Sequence, residues 1–316
     1  MLEKFLSEIF NIASLPFSML IGPSKRLFYP FLVSAFSISF VVFIIEKRKG
    51  NFLNYVFNKK VWLSKSTWVD CCLIFFNAFI KVLIIAPLFF ISIYVAQDVS
   101  DLSYRFLGAP TANYSAMTFV ILYTVSLVIF KDFTTYVVHY LMHKIAFLWE
   151  FHKVHHSATR LTPLTQYRIH PVELIINNFV SLLVIGLITG IFNYLTQGNI
   201  KVYEVLGANV LLLIFNFFGS NLRHSHVKFK YPEFLESTFI SPYQHQIHHS
   251  DNPKFFNKNM GSVFAIWDSL FGTLAKSKEI SNIKFGLGKV DNEIMKGPLN
   301  NLLGPFKALF HKLFSK

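Results

Sequence analysis

The histidines of this 316-residue chain are concentrated in a few short stretches. The stretch "VHYLMHKIAFLWEFHKVHHS", residues 138–157, holds five of the twelve histidines, and "HQIHH" follows at 245–249. Within these stretches the histidines recur three or four residues apart, a spacing that places side chains on one face of a helix. Imidazole is a good ligand for Zn, Cu, Fe and Ni. The spacing therefore predicts helices that present imidazoles to metal ions.

The clustered histidines are too many for one metal ion, which takes about four to six ligands, and their number suits two. His224 and His226 stand apart in "NLRHSH", and the spacing leaves open which of the two is a ligand. The zinc protease pattern H-E-x-x-H is absent. No glutamate precedes a histidine by three residues, as the carboxylate-bridged di-iron bundles require. The pattern favours a histidine-rich dinuclear site with ten candidate ligands: His139, His143, His152, His155, His156, His224, His226, His245, His248 and His249.

The elements that position these histidines belong to a strongly hydrophobic chain. Hydrophobic residues make up 53%, charged residues only 15%, and mean hydropathy is +0.44, whereas soluble domains average about 25% charged. This composition excludes an ordinary soluble domain and predicts an integral membrane protein. The net charge of +13 comes without a nucleic-acid-binding motif, so we assign it to Lys and Arg that flank membrane spans. We expect no nucleic acid partner.

Apolar stretches approach the roughly 20 residues that a membrane span needs. The loop 46–70 is rich in lysine, whereas 97–114 carries one basic residue beside two acids. The positive-inside rule then places 46–70 in the cytoplasm. Counting the spans onward brings both histidine clusters to that same side. We predict an all-α integral membrane protein with four to five membrane helices and a cytoplasmic, histidine-rich helical cap; the candidate spans are 27–45, 71–96, 115–131, 172–195 and 202–218.

The motifs "HYLMH", "HKVHH", "NLRHSH", "HQIHH" and "WDSLFGT" resemble those of the fatty acid hydroxylase/sterol desaturase superfamily. The pattern of that family is HxxxH, HxxHH and a later HxxHH, and all three are complete here. The resemblance covers roughly 115–275. One departure is Gly219 in "FFGSN", where many members carry a histidine. The chain thus divides into an N-terminal membrane region 1–114, a catalytic domain 115–275 and a basic amphipathic tail 276–316, which we expect to lie on an anionic leaflet.

The resemblance implies a non-haem di-iron site formed by the ten histidines. It also implies dioxygen as co-substrate and hydroxylation of a fatty acyl or sterol-like C–H bond. Because this reaction consumes electrons, a separate donor is expected, similar to cytochrome b5 or to ferredoxin. The chain itself has no HPGG-type haem motif. The expected location is a bacterial inner membrane or the endoplasmic reticulum, with the active site on the cytoplasmic face.

Metal-bound histidines usually donate their second N–H to a carboxylate or carbonyl, so supporting residues are expected nearby. Asp132 lies seven residues before His139 on the same helical face, where it could orient that ring or serve as an interfacial acid. Asn221 could support His224. His170 in "RIHPVE" could support the site, line the substrate entrance or be structural.

Two alternatives stay open. The same ligand set could desaturate a lipid or oxidise a methyl group. The chain could also be a metal-binding membrane protein without oxygenase chemistry, such as a transporter or a hydrolase. A transporter should carry polar groups near the bilayer centre, and Lys81 is the clear mid-span charge here.

Overall fold

The computed structural model describes residues 2–111, 115–199, 204–205 and 208–314. In those residues the chain is helical, which confirms the all-α prediction, and its one sheet is a hairpin of β1 (Glu204–Val205) and β2 (Ala208–Asn209). The helices are α1 (Leu2–Ser18), α2 (Tyr29–Ile45), α3 (Phe52–Val56), α4 (Lys59–Trp62), α5 (Lys65–Ile80), α6 (Ala86–Leu107), α7 (Ala116–Lys144), α8 (Ala146–His156), α9 (Pro171–Leu195), α10 (Val210–Phe217), α11 (Pro242–His248), α12 (Ile266–Leu270), α13 (Lys289–Ile294) and α14 (Pro298–Phe314).

Among the described residues, three helices are long and apolar enough to cross a membrane: Lys65–Leu107, Ala116–Lys144 and Pro171–Leu195. Helix α2 is apolar but has only 17 residues. The predicted span 202–218 contains the hairpin and the eight-residue α10, and its positions 202–203 and 206–207 lie outside the described residues. Hydropathy predicted a continuous apolar span there, whereas the described part consists of two short strands and α10.

The first long helix joins α5 and α6 through a π-helical turn at Lys81–Ile85. Pro87 follows directly, and proline lacks the N–H for the usual helical bond while its ring crowds the carbonyl four residues back. A π turn relieves such crowding without ending the helix. The helix therefore passes Lys81 and Pro87 without a break and continues for 43 residues.

Helices α6 and α9 pack closely because α9 carries two glycines four residues apart. A Cβ at Gly186 would lie 2.7 Å from the carbonyl oxygen of Ser92, and one at Gly190 would lie 2.6 Å from that of Ala96. Small residues at this spacing let helix backbones approach within membranes. Helix α7 joins the same bundle, where Tyr123 Oη lies 2.8 Å from Thr189 Oγ1.

Helices α7 and α8 meet at a sharp corner, where Ile145 is both the last cap of α7 and the first cap of α8, with φ −92° and ψ 112°. Beneath α8, the buried side chain of Arg168 donates hydrogen bonds to several elements. Its Nη1 donates to Asp70 Oδ1 at 3.2 Å, its Nη2 to Ser157 Oγ at 2.7 Å and its Nε to the Val154 carbonyl at 3.0 Å. This network fixes α8 against α5.

The C-terminal helix α14 packs on α8. Asn301 is fully buried and its Oδ1 accepts from Ser157 Oγ at 3.2 Å, and the Phe306 ring lies 5.3 Å from the Phe151 ring. Lys312 Nζ donates to Glu150 Oε1 at 2.6 Å. The outward side of α14 is apolar and exposed at Leu299, Phe310 and Leu313. The tail therefore contacts the histidine-bearing helix with one side and leaves a membrane-compatible side free.

Candidate metal centre

The structure brings nine histidines into two groups, and within each group the ligand nitrogens all lie within 4.8 Å of one another. Group one contains His139, His143, His152, His156 and His248; group two contains His155, His224, His245 and His249.

The helical spacing explains how the motifs are shared between the groups. On α8, His152 and His156 are four residues apart and enter group one, while His155 points to group two. In "HQIHH" the assignment reverses, since His245 and His249 enter group two and His248 enters group one. Each HxxHH motif therefore contributes to both groups.

The elements that carry the rings are fixed at their ends. Helix α11 begins with a capping box, in which Ser241 Oγ accepts from Gln244 N and Gln244 Oε1 accepts from Ser241 N. His224 ends a 3-10 turn, Ser220–His224, which follows Gly219. Gly219 has φ 82°, a left-handed conformation that glycine adopts at little cost. The departure from the family pattern at this position thus provides the turn that leads to His224.

Several rings are oriented by hydrogen bonds from their Nδ1 atoms. His139 donates to the Met260 carbonyl at 2.8 Å and His248 to the Lys258 carbonyl at 2.7 Å. His155 Nδ1 lies 3.2 Å from the Arg168 carbonyl. A carbonyl oxygen only accepts, so Nδ1 carries the proton and Nε2 presents a lone pair to the group.

Glu173 orients the ring of His152. Its Oε1 lies 2.9 Å from His152 Nδ1, and both side chains are buried. A carboxylate that accepts from a ligand imidazole fixes the tautomer and makes the ring a stronger ligand. Glu173 lies in the first turn of α9. In the sequence, the feature that could have marked its role is an acid at the start of an apolar span. Glu173 is part of the motif "RIHPVE", whose residue types and spacing do not reveal its contact with His152.

The ring nitrogens fit bound cations. The Nε2 atoms of His139 and His152 lie 3.1 Å apart although both Nδ1 atoms already donate elsewhere, so two lone pairs face each other. His248 Nε2 and His143 Nε2 are buried and have no hydrogen-bond partner. In group two, His224 Nε2 lies 3.1 Å from the Nε2 atoms of His245 and His249. Facing lone pairs repel unless a positive charge lies between them, so group one suits a metal ion. The four imidazoles of group two, whose ligand nitrogens lie within 4.8 Å of one another, suit a second ion.

Burial keeps these rings uncharged. It lowers the pKa of His152 and the pKa of His155 to about 3. Burial, followed by the charges of neighbouring imidazoles, lowers the pKa of His224, His245 and His249 well below the usual value. Near pH 7 the groups therefore offer neutral imidazoles, the form that binds metal.

The remaining predicted residues lie elsewhere. His226 is in neither group, and its Nε2 donates to the Tyr55 carbonyl at 2.7 Å. Asp132 accepts from Val263 N and Phe264 N. It therefore stabilises the cap and does not orient a histidine.

Asn221 Nδ2 donates to the Arg26 carbonyl at 2.7 Å and does not contact His224. His170 caps α9, where its Nδ1 accepts from Val172 N, while its Nε2 donates to the Leu302 carbonyl. Both side chains therefore position the framework of the site.

Group one adjoins a cavity of about 560 Å³, which His143, His156 and His248 line together with Trp149. Lys312 of α14 also lines it. This cavity gives aqueous ions and small molecules a route to group one.

Comparison with known proteins agrees with this arrangement. Residues 124–273 match the fatty acid hydroxylase family model. Ornithine lipid hydroxylase OlsE of Rhizobium tropici is 30% identical over 178 residues, which are 56% of this chain and 48% of that protein. Alkylglycerol monooxygenase of Caenorhabditis elegans is 29% identical over 59% of this chain and 33% of its own length. The human alkylglycerol monooxygenase is 26% identical over 58% of this chain and 35% of its own length.

These matches confirm the resemblance seen in the motifs: residues 124–273 carry the sequence pattern of the fatty acid hydroxylase superfamily. The chain spans about a third to a half of the length of the curated relatives that it matches. No solved structure matches it.

Proposed function

We propose that this protein is a membrane-bound, non-haem di-iron oxygenase that uses dioxygen to hydroxylate a C–H bond of a lipid. The observation that carries the proposal is the pair of adjacent histidine groups, whose uncharged rings are held by carbonyls and by Glu173. The names of the relatives, a lipid hydroxylase and alkylglycerol monooxygenases, support this chemistry.

Iron held by these two groups would supply the activation of dioxygen that attack on an unactivated C–H bond requires. The chain's own residues hold and orient the metal-binding imidazole rings. The Met260 and Lys258 carbonyls and Glu173 keep ring protons on Nδ1, so that Nε2 stays free to bind. Nine buried or half-buried imidazoles add no charge of their own, which suits a site beside apolar helices.

The test is purification of the full chain in detergent, metal analysis and reductant-dependent oxidation of lipid extracts under ¹⁸O₂. We expect about two Fe per chain, in line with the two groups, and one ¹⁸O atom in the product. His152→Ala and His245→Ala, one from each group, should lose metal and activity. His311→Ala is the matched control, because this exposed histidine of α14 lies in neither group, and it should retain both.

Other results would favour the alternatives. A new double bond without ¹⁸O would indicate a desaturase, and oxidised methyl groups would indicate a methyl oxidase. Metal binding without any reductant-dependent uptake of oxygen would contradict an oxygenase and favour a transporter or a hydrolase. Full activity in both histidine variants would overturn the site itself.

We propose that electrons come from a separate, acidic redox protein of the cytochrome b5 or ferredoxin type. Support comes from a groove of about 930 Å³ that adjoins the site at Ser157 and Gln246. Among its described lining residues, Glu293 is the one carboxylate, while the cations are Lys60, Lys65, Arg160, Arg168, Lys228, Lys284, Lys289 and Lys296. Such a surface attracts an acidic partner. Lys60→Glu should raise the KM for the reduced donor at low salt, whereas Lys49→Glu, outside the groove, should leave it unchanged.

We propose that the histidine cap faces the cytoplasm, in a bacterial inner membrane or in the endoplasmic reticulum. The lysine-rich segment supports this orientation, because Lys60 and Lys65 line the same groove as His226, and positive loops stay inside. The test is a reporter that is active only in the cytoplasm, fused after residue 316. We expect this reporter to be active. We propose that the catalytic region spans residues 115–275 and that α14 completes its outer wall.

A further inference from the structure

A separate cavity of about 440 Å³ lies between α7, α10 and the loop that precedes α2. Two cationic side chains line it, Arg26 and Lys131. The carboxylate that lines it, Asp132, accepts from Val263 N, Phe264 N and the Trp267 indole, so its oxygens are already committed. The cavity therefore has an excess of positive charge.

Arg223 is a third cation beside this cavity, although it is not among the residues that line it. Its guanidinium carbon lies 4.8 Å from the centre of the Phe215 ring, and Phe215 lines the cavity. The residue is only 1% exposed, yet its Nε and Nη2 have no hydrogen-bond partner and no described carboxylate pairs with it. A buried guanidinium without acceptors is costly, so its charge favours an anion close by.

The loop and the turn that carry the two arginines are joined. Asn221 Nδ2 donates to the Arg26 carbonyl at 2.7 Å, and Arg26 Nη2 lies 3.3 Å from Ser262 Oγ. The charge of Arg26 acts on Arg223, and Asp132 is a nearby carboxylate whose charge acts on both arginines. With Lys131, three cations share this one carboxylate, so the place retains a net positive charge that a further anion would offset.

The rest of the cavity wall has an apolar part and a polar part. Val128 of α7 and Leu212 and Leu213 of α10 line it beside the cations, and five uncharged polar residues also line it: Ser24, Thr135, Asn209, Asn216 and Ser262. A free inorganic anion gains nothing from the apolar part, whereas a lipid would place its polar head against the cations and the polar part and its first methylenes against the apolar side chains.

We propose that this cavity binds the phosphate group of a lipid through Arg26 and Lys131, with Arg223 adding its charge from beside Phe215. The inference rests on the proposed function in one respect, since it makes that lipid the substrate. Arg26 and Arg223 lie near enough to His224 of group two for their charges to act on it, so a lipid bound here has its head group on the side of group two. The carbon that is oxidised would then lie near the polar head and not at the chain terminus.

The test is calorimetric binding to the metal-loaded full chain in an uncharged detergent. The probes are dioctanoyl phosphatidic acid, dioctanoylglycerol and inorganic phosphate. We expect the phosphatidic acid to bind about tenfold or more tightly than the other two, and each of Arg26→Gln, Lys131→Gln and Arg223→Gln to weaken it by about tenfold. Lys25→Gln is the matched control, an exposed neighbour that does not line the cavity, and should leave binding unchanged.

Equal binding of dioctanoylglycerol and phosphatidic acid would overturn the proposal, as would unchanged binding in the variants. Inorganic phosphate that binds as tightly as the lipid would assign the cavity to a free anion and also overturn it. Lys131 is exposed, so Lys131→Gln remains informative if Arg223→Gln does not fold. Because binding is measured without turnover, a protein that binds the phospholipid but oxidises no lipid counts against the proposed function alone.

Discussion

At the scale of single residues, the supporting contacts of the histidines matter as much as their spacing. The i, i+3 and i+4 pattern indicated nearly all the rings that meet in the two groups. It could not indicate the acceptors behind them, because Met260 and Lys258 act through their carbonyls. A backbone carbonyl leaves no signature in residue type, and only the folded path of the loops places it.

The carboxylate of Glu173 provides the first test at this scale. Glu173→Gln keeps an acceptor for His152 but removes the negative charge, and Glu173→Ala removes both. We expect metal affinity to fall in both variants, by about 10- to 100-fold in the alanine variant. The measurement is metal retained per chain during titration with a chelator. Glu233→Gln, at an exposed ion pair, is the control, and full retention by Glu173→Ala would contradict the assigned role.

Asp132 provides the second test. Its Oδ2 accepts from both Phe264 N and the Trp267 indole. In Asp132→Asn, an amide NH₂ at that position would leave two donors unpaired, which costs about 2–4 kcal/mol. The melting temperature in detergent should fall, while Asp101→Asn, an exposed acid of α6, should have no effect. Equal melting of the two variants would indicate that the cap does not depend on this contact.

At the scale of elements, hydropathy identified the apolar core of each long helix but not its ends. The span predicted at 115–131 continues as a helix to Lys144, and this continuation beyond the apolar run carries the HxxxH motif. The span predicted at 71–96 extends over 65–107, since the π turn accommodates Pro87. The region 202–218 read as a span because its residues are apolar, yet α10 is only eight residues long.

The close packing of α6 and α9 yields a prediction for this scale. In Gly190→Ala the new Cβ would lie 2.6 Å from the Ala96 carbonyl oxygen and 2.7 Å from Val99 Cβ, so the helices must move apart. We expect a loss of about 1–3 kcal/mol, measured by thermal unfolding in detergent. Gly304→Ala in α14 is the matched control, since its Cβ would meet nothing nearer than Met295 Sδ at 3.7 Å. A variant at position 190 as stable as this control would show that the two helices are not tightly packed.

At the scale of the whole molecule, an oily bundle holds a polar cap in which many buried groups are satisfied across elements. The sequence predicted the apolar helices and the histidine-rich cap. It did not predict that α14 packs on α8, because Asn301 and Lys312 lie in a tail that is equally suited to a membrane surface. Such long-range pairing depends on the complete fold.

Removal of metal tests the relation between the two halves. Without cations, the facing lone pairs of His139 and His152 repel one another, and the four rings of group two lack the ion that would hold them together. We expect a chelator to lower the melting temperature and to speed amide hydrogen exchange in 220–226 and 242–249. Exchange in α6 and in residues 186–195 of α9 should stay slow, because these parts pack on each other away from the site. Uniform acceleration along the chain would contradict a locally stabilising metal centre.

The division of each HxxHH motif between the two groups also has a consequence for how the centre fills. Helices α8 and α11 each carry rings of both groups, so the first ion bound fixes the mutual orientation of both helices. The second ion then meets rings that are already ordered and loses less conformational entropy on binding. Loading should therefore be positively cooperative, and at half the saturating amount of metal the population should consist mainly of empty and doubly filled chains.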